Sequence, residues 1–379
     1  MALEVIGSMQ TPCTALFGFY GVGNYGDDLM AWMIADHLES IGRRVIIYSL
    51  SDRAGDSLQS PNFKRRIFPS SPSLEVALQS CDSVIYGGGG VLVSNASRKL
   101  RKFACYFRRE EIFLAAVKQR QLPLAVLSVG GDGRQDAGLL DSFAADMVRY
   151  ATSVTVRNRA DVSVLKQLGV DAHFHPDIVW GVKRSGFGVR SQHAQLRIGL
   201  DLYSNLFRRG GGLRFLCFLQ SVILSNPSIR FVCLNSTHVN CGRSSGLGRI
   251  LFGSNVERYQ FSDFSLDHER LCSLDVLVSS RLHVPMVALQ CGVPVISVFS
   301  EGKTRLLMES VGLQFAHFDK TRIRELQSIL ASRERLIDWI ERYHFPPVDV
   351  LSVGASGHYR QMDDFLAEVG RVPEVKSVE

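Results

Sequence analysis

The chain has 379 residues, of which 46% are hydrophobic and 21% charged, and its formal net charge is +6. This composition excludes an extensively disordered protein, and the length leaves room for two domains with separate cores. Gln, Gly or Pro interrupts the longest apolar runs before they reach the roughly 18 to 20 residues of a membrane span.

The N-terminal segment, MALEVIGSMQTPC, lacks a basic region followed by an apolar core, so we expect no signal peptide. We therefore expect a cytoplasmic protein, with peripheral contact at the inner membrane face as a further option. Eight cysteines are scattered singly, and the ten histidines show no H-E-x-x-H spacing. We predict buried, reduced thiols and no metal requirement, although His173 and His175 alternate along one predicted strand and leave a metal pair as an alternative.

Short β-rich runs alternate with helical patterns along the whole chain. In the first half, this pattern predicts strands at 15–19, 45–50, 83–86, 124–129 and 153–156, and helices at 29–41 and 103–119. In the second half, it predicts strands at 197–202, 229–235, 276–279 and 295–299. The order strand, helix, strand is typical of parallel sheets with crossover helices, which predicts an α/β fold.

A polar, glycine-rich stretch at 181–196 separates the two halves, and we interpret it as a linker between two doubly wound domains. We assign residues 1–183 to an N-terminal Rossmann-like domain and residues 184–345 to a second one. The final segment, 346–379, is predicted to be helical and to pack back on the first domain. Two such domains face each other across a cleft at the carboxyl ends of their strands, where α/β folds bind ligands.

The first of three glycine-rich loops, GFYGVGNYGDDLM at 18–30, contains G-x-G-x-x-G, the pattern of a dinucleotide-binding turn. Asp52, the candidate ribose ligand, comes later than that pattern requires, and Asp27 and Asp28 at the start of the helix would repel a pyrophosphate. Two other interpretations are about equally favoured. Either the aspartates cap the helix, or Asn24 and Asp27 bind a sugar.

The second loop, YGGGGVLV at 86–93, can present the backbone of Gly88 and Gly89 to an anion or a substrate, with close helix packing as the alternative. The third loop, SVGGDGRQD at 128–136, follows the next strand. Three glycine-rich turns at one sheet edge are more than packing usually requires. We therefore expect the three loops to line one wall of the cleft.

In the second half, DVLVSSRLHVPMVALQCGVPVISV at 275–298 predicts a strand, a turn and a helix. Pro285 suits the first helical position, which would put Arg281 and His283 at the carboxyl end of the strand beside the helix N-terminus. A lone Arg or His in a turn is usually structural, but this shared position favours a ligand site. Arg157, at the end of SVTVR, is a matching cation from the first half.

These motifs, together with HPD at 175–177 and GKT at 302–304, resemble the polysaccharide pyruvyl transferase family from about residue 15 to residue 315. The R-L-H element is the most specific of them. The resemblance implies a glycosyltransferase-B-like (GT-B-like) fold of two Rossmann-like domains. It also implies transfer of the enolpyruvyl group of phosphoenolpyruvate to sugar hydroxyls, commonly as a pyruvate ketal on a cell-surface polysaccharide. No cofactor is implied, since phosphoenolpyruvate is the donor substrate.

By the same resemblance, Arg281 and His283 contact phosphoenolpyruvate together with Leu282, and Arg157 closes on the ligand from the other domain. Arginine binds carboxylate and phosphate groups bidentately, and histidine can act as both acid and base near neutral pH. Lys303 is expected to hold the departing phosphate, with a solvated surface lysine as the alternative.

Acceptors in this family are often lipid-linked saccharide phosphates, which the basic stretch at 97–113 suits. We expect it to bind the diphosphate or the anionic membrane face, with a solvated helix face as an equal alternative, through Lys99, Arg101, Lys102, Arg108 and Arg109. The third glycine loop lacks the proline that usually ends this loop in the family, which leaves the acceptor open. No nucleic-acid partner is expected.

Two rival functions remain. A nucleotide-sugar glycosyltransferase of the same fold would bind a nucleoside diphosphate at the second domain, but the sequence indicates no carboxylate near Arg281 that could hold a ribose. The other rival is a non-catalytic sugar-binding or scaffold protein of the biosynthetic complex. The joint presence of Arg157, Arg281 and His283 argues against the second rival.

Overall fold

A computed structural model of the chain describes residues 11–50, 66–69, 74–93, 104–131, 140–182, 195–202, 212–236, 256–261, 263–299 and 302–370. Several sequence-based predictions lie outside these residues. They concern Asp52, most of the linker at 181–196, the end of the third glycine loop, and the cations Lys99, Arg101 and Lys102.

The first domain is a parallel sheet with the strand order β3-β2-β1-β4-β5-β6-β7. Its strands are β1 Cys13–Phe17, β2 Arg44–Ser49, β3 Arg66–Pro69, β4 Ser83–Gly87, β5 Leu124–Val129, β6 Ser153–Val156 and β7 His173–Phe174. Its helices are α1 Tyr25–Ser40, α2 Leu74–Gln79, α3 Ala104–Gln119, α4 Ser142–Tyr150 and α5 Arg159–Gln167, followed by a 3₁₀ turn at Ile178–Gly181. The central strands are buried on both faces, as parallel sheets require.

The second domain repeats this plan with the strand order β10-β9-β8-β11-β12-β13, again all parallel. Its strands are β8 Leu196–Asp201, β9 Ile229–Asn235, β10 Glu257–Gln260, β11 Val276–Ser279, β12 Val295–Val298 and β13 His317–Phe318. The remaining helices are α6 Gly212–Ser225, α7 Phe264–Cys272, α8 His283–Gln290, α9 Gly302–Ser310, α10 Ile323–Leu330, α11 Arg333–Glu341 and α12 Val348–Val369.

Both sheets reverse their strand order at one point, between β1 and β4 in the first and between β8 and β11 in the second. Ligands of doubly wound folds bind in the crevice at such reversals, outside the carboxyl ends of the strands. The predicted α/β fold of two Rossmann-like domains is confirmed. Every predicted strand is present within two residues of its predicted ends.

The strands β3, β10 and β13, which the sequence did not predict, are three of the four edge strands of the two sheets. Each has only two to four residues, too few for an apolar run to stand out. The predicted histidine pair on one strand is wrong, because β7 ends at Phe174 and His175 follows it. The first helix begins at Tyr25, earlier than predicted, because the apolar periodicity becomes visible only at Leu29.

The last helix, α12, lies against β5, β6 and the 3₁₀ turn of the first domain. Its fully buried His358 bridges Thr155 Oγ1, 2.7 Å from Nδ1, and the carbonyl oxygen of Pro176, 3.0 Å from Nε2. A carbonyl only accepts, so Nε2 carries the hydrogen and Nδ1 accepts from the threonine hydroxyl. Burial lowers the pKa of His358 to about 3, which keeps the ring neutral. The helix thereby holds the backbone directly before Asp177.

Within the described part of the chain, every helix is too short or too polar to cross a lipid bilayer.

Replacing Gly357 by Ala tests how closely α12 is seated. The added Cβ would lie 2.1 Å from His175 Nδ1, so we expect the overpacked helix to lose about 1 to 3 kcal/mol of unfolding free energy in urea titrations. An exposed helical Gly to Ala change would instead gain up to about 1 kcal/mol. The control is Ser356→Ala at the half-buried neighbouring position, where the hydroxyl bonds to the Val353 carbonyl oxygen of the same helix, and it should change little. Equal effects of the two variants would contradict this packing.

Candidate functional site

A buried contact between the two domains joins Arg157, Asp177 and His283. Arg157 follows β6, and its Nη1 donates to Asp177 Oδ2 at 2.8 Å and to His283 Nε2 at 3.1 Å. Asp177 precedes the 3₁₀ turn and accepts from the backbone N–H of Val179 at 3.0 Å, which fixes its orientation. All three side chains are at least nine-tenths buried.

His283 Nε2 is the acceptor in its contact with Arg157, since a guanidinium can only donate. The prediction that Pro285 is the first helical residue is wrong. Helix α8 begins at His283, so Pro285 is its third residue. Proline is tolerated there because the N–H groups of the first helical turn have no partner within the helix.

Gly26 explains how α1 of the first domain approaches α8 of the second. A Cβ on Gly26 would lie 1.7 Å from His283 Nδ1, so any side chain at this position would displace the imidazole. Gly26 is the third glycine of the G-x-G-x-x-G pattern. Its place against His283 accounts for the glycine without a dinucleotide.

The charges in this contact shift the pKa of Asp177. Burial alone would raise it, but the Arg157 guanidinium and the nearby His283 ring outweigh burial and hold the pKa well below its usual range. Asp177 is therefore a permanent anion that compensates the buried Arg157. The sequence had singled out HPD at 175–177 without assigning a role to this aspartate.

Asp27 is a second buried carboxylate at the cleft. Burial raises its pKa, whereas the positive charges of Lys303 and Arg157 act in the opposite direction. The Asn24 amide donates to Asp27 Oδ2, and a Cβ on Gly89 would lie 3.6 Å from Asp27 Oδ1. Asn24, Asp27 and Gly89 thus lie together.

One carboxylate oxygen of Asp28 bonds to the loop that precedes the helix. Asp28 Oδ1 accepts from the backbone N–H of Gly21 at 2.9 Å, which braces the preceding loop. Asn24, at the N-cap position, makes no capping hydrogen bond with its side chain.

The second glycine loop faces cations from both domains. A Cβ on Gly90 would lie 3.9 Å from Lys303 Nζ and 4.0 Å from Arg157 Nη2, so both groups border the same small volume. Gly88 and Gly89 have φ angles of +70° and +92°, a conformation that other residues rarely adopt. Half-buried Lys303 makes no hydrogen bond or ion pair within the described part of the chain.

Arg281 lies apart from this group, in contact with Asp201 at the end of β8. Its Nε is 3.5 Å from Asp201 Oδ1, and the hydroxyls of Ser236 and Ser279 donate to the same carboxylate. A carboxylate therefore does lie near Arg281, but both of its oxygens already accept hydrogen bonds from serine hydroxyls. Asp201 was missed because it is far away in sequence. Leu282 is buried in the apolar core and contributes its backbone at the turn rather than an open side chain.

In the basic stretch, α3 begins at Ala104. Arg108 is exposed, and Arg109 donates through Nη1 to the Leu50 carbonyl oxygen. Arg109 thus has a structural contact within the first domain, whereas Arg108 is open to solvent.

A sequence model of the polysaccharide pyruvyl transferase family matches residues 24–226, more than half of the chain. The match contains the second and third glycine loops, Arg157 and HPD, and it includes the first glycine loop from Asn24 onward. No curated protein matches the sequence.

Solved structures with the same fold include S. aureus MnaA with UDP, at a TM-score of 0.61 and 12% identity over 96% of this chain and 99% of that one. Anabaena Alr3699/HepE with UDP-glucose has a TM-score of 0.59 and 13% identity over 96% and 100% of the two chains. The UDP-GlcNAc 2-epimerase of Neisseria meningitidis has a TM-score of 0.57 and 10% identity over 94% and 100%. These likenesses establish the GT-B-like fold.

Replacing Asp177 by Ala should leave Arg157 buried without its anion and cost about 3 to 5 kcal/mol of unfolding free energy. The matched control is Asp338→Ala, which breaks an exposed ion pair with Arg342 and should cost less than about 1 kcal/mol. Urea titrations at neutral pH measure both.

The Asp177→Ala variant should also change how the free energy of unfolding falls at acid pH. The folded pKa of Asp177 lies below its unfolded value of about 3.9, so its stabilisation is complete above about pH 5 and is lost as the pH falls through the folded pKa. Asp177→Ala should therefore lose less stability than the parent chain between pH 6 and pH 3. Parallel losses would mean that Asp177 is not held as a buried anion.

Proposed function

Since the chain belongs to the polysaccharide pyruvyl transferase family, we propose that it transfers the enolpyruvyl group of phosphoenolpyruvate to a sugar, forming a pyruvate ketal. The acceptor in this proposal is a lipid-linked precursor of an exopolysaccharide or a cell-wall glycan.

The observation that carries the proposal is the pair of cations beside Gly90. Lys303 and Arg157 reach this backbone from opposite domains, and His283 lies next to them. Phosphoenolpyruvate carries a phosphate and a carboxylate, so two cations on opposite walls suit its two anionic groups. A glycine between the cations leaves room for the ligand to approach the backbone.

The reaction balances with the groups that the two substrates carry. One hydroxyl adds to C2 while a proton reaches the methylene carbon, which becomes the methyl group. Phosphate then leaves, and the second hydroxyl closes the ketal at C2. The two acceptor hydroxyls lose one proton each. The new C–H bond of the methyl group accounts for one proton, and the other leaves with phosphate.

Two groups suit the proton transfers. Burial raises the pKa of Asp27, which makes its carboxylate a stronger base than an exposed one and suits it to take a hydroxyl proton. His283 is the candidate donor to the methylene carbon. Its Nε2 becomes available for a proton once an incoming anion draws Arg157 away from it.

A nucleotide-sugar glycosyltransferase is the alternative with the same fold, and the solved relatives named above are described as complexes with UDP or UDP-sugars. A ribose would need a free acceptor near Arg281. Asp201 is fully buried there, and both of its oxygens already accept hydroxyl hydrogens from Ser236 and Ser279. These contacts argue against Asp201 as a ribose ligand.

Turnover tests the proposal directly. Incubation with phosphoenolpyruvate and lipid-linked glycans should release phosphate and add the mass of a pyruvate ketal to the glycan. Lys303→Ala should lower kcat/KM for phosphoenolpyruvate about tenfold to hundredfold, the equivalent of about 1.5 to 3 kcal/mol for a lost contact to a charged group. The control is Lys320→Ala at an exposed position outside the cleft, which should retain full activity. Turnover with UDP-sugars but none with phosphoenolpyruvate would overturn the proposal.

The pH profile tests the role of Asp27. The base must be deprotonated, so kcat should fall as the pH drops through the raised pKa of Asp27, above the usual carboxyl value of about 4. Asp27→Asn should lose about 10² to 10⁴ of the rate, and its residual rate should lack this acid limb. An unchanged profile in Asp27→Asn would exclude Asp27 as the base.

A further inference from the structure

Three side chains suited to a soft cation meet away from the cleft, between α7 and α8. They are His268, Cys272 and Cys291, and their ligand atoms all lie within 4.8 Å of one another. His268 and Cys272 are four residues apart on α7 and therefore share one face of that helix. Cys291 is the residue directly after α8, so the cluster joins the ends of two consecutive helices.

The spacing of these atoms agrees with tetrahedral zinc coordination. Zinc binds thiolate sulfur at about 2.3 Å and imidazole nitrogen at about 2.0 to 2.1 Å, which puts two such tetrahedral ligands about 3.5 to 3.6 Å apart. His268 Nε2 and Cys291 Sγ are 3.6 Å apart. The Cys272 thiol lies within 4.8 Å of both of these atoms. A cation could therefore enter with little movement of the side chains.

The burial of the cluster suits a site that forms in the folded chain. His268 is buried, with 6% of its surface exposed, whereas both thiols are half-buried and so within reach of a solvated ion. The phenol of Tyr259 donates to Asp267, the residue next to His268, at 2.9 Å. This buried carboxylate adds negative charge near the cluster.

We propose that His268, Cys272 and Cys291 form a binding site for a thiophilic divalent cation, zinc in particular, with water in the fourth position. Binding replaces the two thiol hydrogens by the metal, so each zinc ion releases up to two protons to solvent. This inference is independent of the proposed transferase activity. The sequence-based expectation of no metal requirement did not foresee this site, because the spacing of residues 268, 272 and 291 matches no common ligand motif.

The position of the site gives it a structural role. Helix α8 has eight residues and spans about 12 Å from His283 to the cluster, so the metal would not touch the ligand in the cleft. It would fasten α7 to the end of the helix that begins with His283. Bound metal should therefore raise the stability of the second domain.

Cobalt titration tests the site, because thiolate-bound, four-coordinate Co²⁺ absorbs in the near ultraviolet and the visible. The full chain, kept reduced with a phosphine and free of metal, should bind one Co²⁺ with both bands, and Zn²⁺ should displace it. Cys272→Ser, Cys291→Ser and His268→Gln should each weaken binding at least tenfold. The controls are Cys217→Ser at an exposed thiol and Cys81→Ser, which removes a different close thiol pair of the described residues, the pair with Cys13.

Thermal unfolding with and without Zn²⁺ provides a second measurement. Metal should raise the melting temperature of the parent chain and of both control variants, but not of Cys291→Ser. Three results would overturn the proposal. These are a reduced chain without a thiolate–cobalt band, a band that persists unchanged in the Cys272→Ser, Cys291→Ser and His268→Gln variants, and a band lost only in Cys81→Ser.

Discussion

The buried contact of Arg157 with Asp177 and His283 is the constraint on which the arrangement of the two domains depends. A guanidinium buried at a domain interface is costly unless an anion compensates it, and Asp177 supplies that anion at 2.8 Å. The third partner, His283, comes from the other domain and can reach Arg157 only because Gly26 has no side chain. Charge compensation within one domain and close approach between two domains therefore occur at the same place.

The two terminal nitrogens of Arg157 have different surroundings. Arg157 Nη1 is engaged by Asp177 and His283, whereas Nη2 lies near Gly90, which Lys303 Nζ also approaches. In the proposed reaction, an anion bound beside Gly90 competes for the guanidinium and leaves His283 Nε2 free to take a proton. Binding of the donor and readiness for proton transfer are then coupled through one side chain.

Local patterns were sufficient to predict the central strands and the places of Arg157 and His283 along the chain, but contacts distant in sequence were not predictable. Arg157 and His283 follow recognisable strands. Their place at the carboxyl edge of the sheets could therefore be predicted from the alternation of strand and helix patterns alone. The short edge strands carry too few apolar residues to be detected. The partners Asp177 and Asp201 were missed because a carboxylate far along the chain leaves no periodic signal. Gly26 was visible as a glycine, but only the packing of α1 against α8 reveals its role.

Binding of phosphoenolpyruvate without an acceptor tests the central claim most directly. Isothermal titration calorimetry of the full chain should show one saturable site, with affinity lost in Lys303→Ala and retained in Lys320→Ala. UDP should neither bind with comparable affinity nor compete. If UDP binds and phosphoenolpyruvate does not, or if Lys303→Ala binds phosphoenolpyruvate as tightly as the parent chain, the cations beside Gly90 are not the donor site.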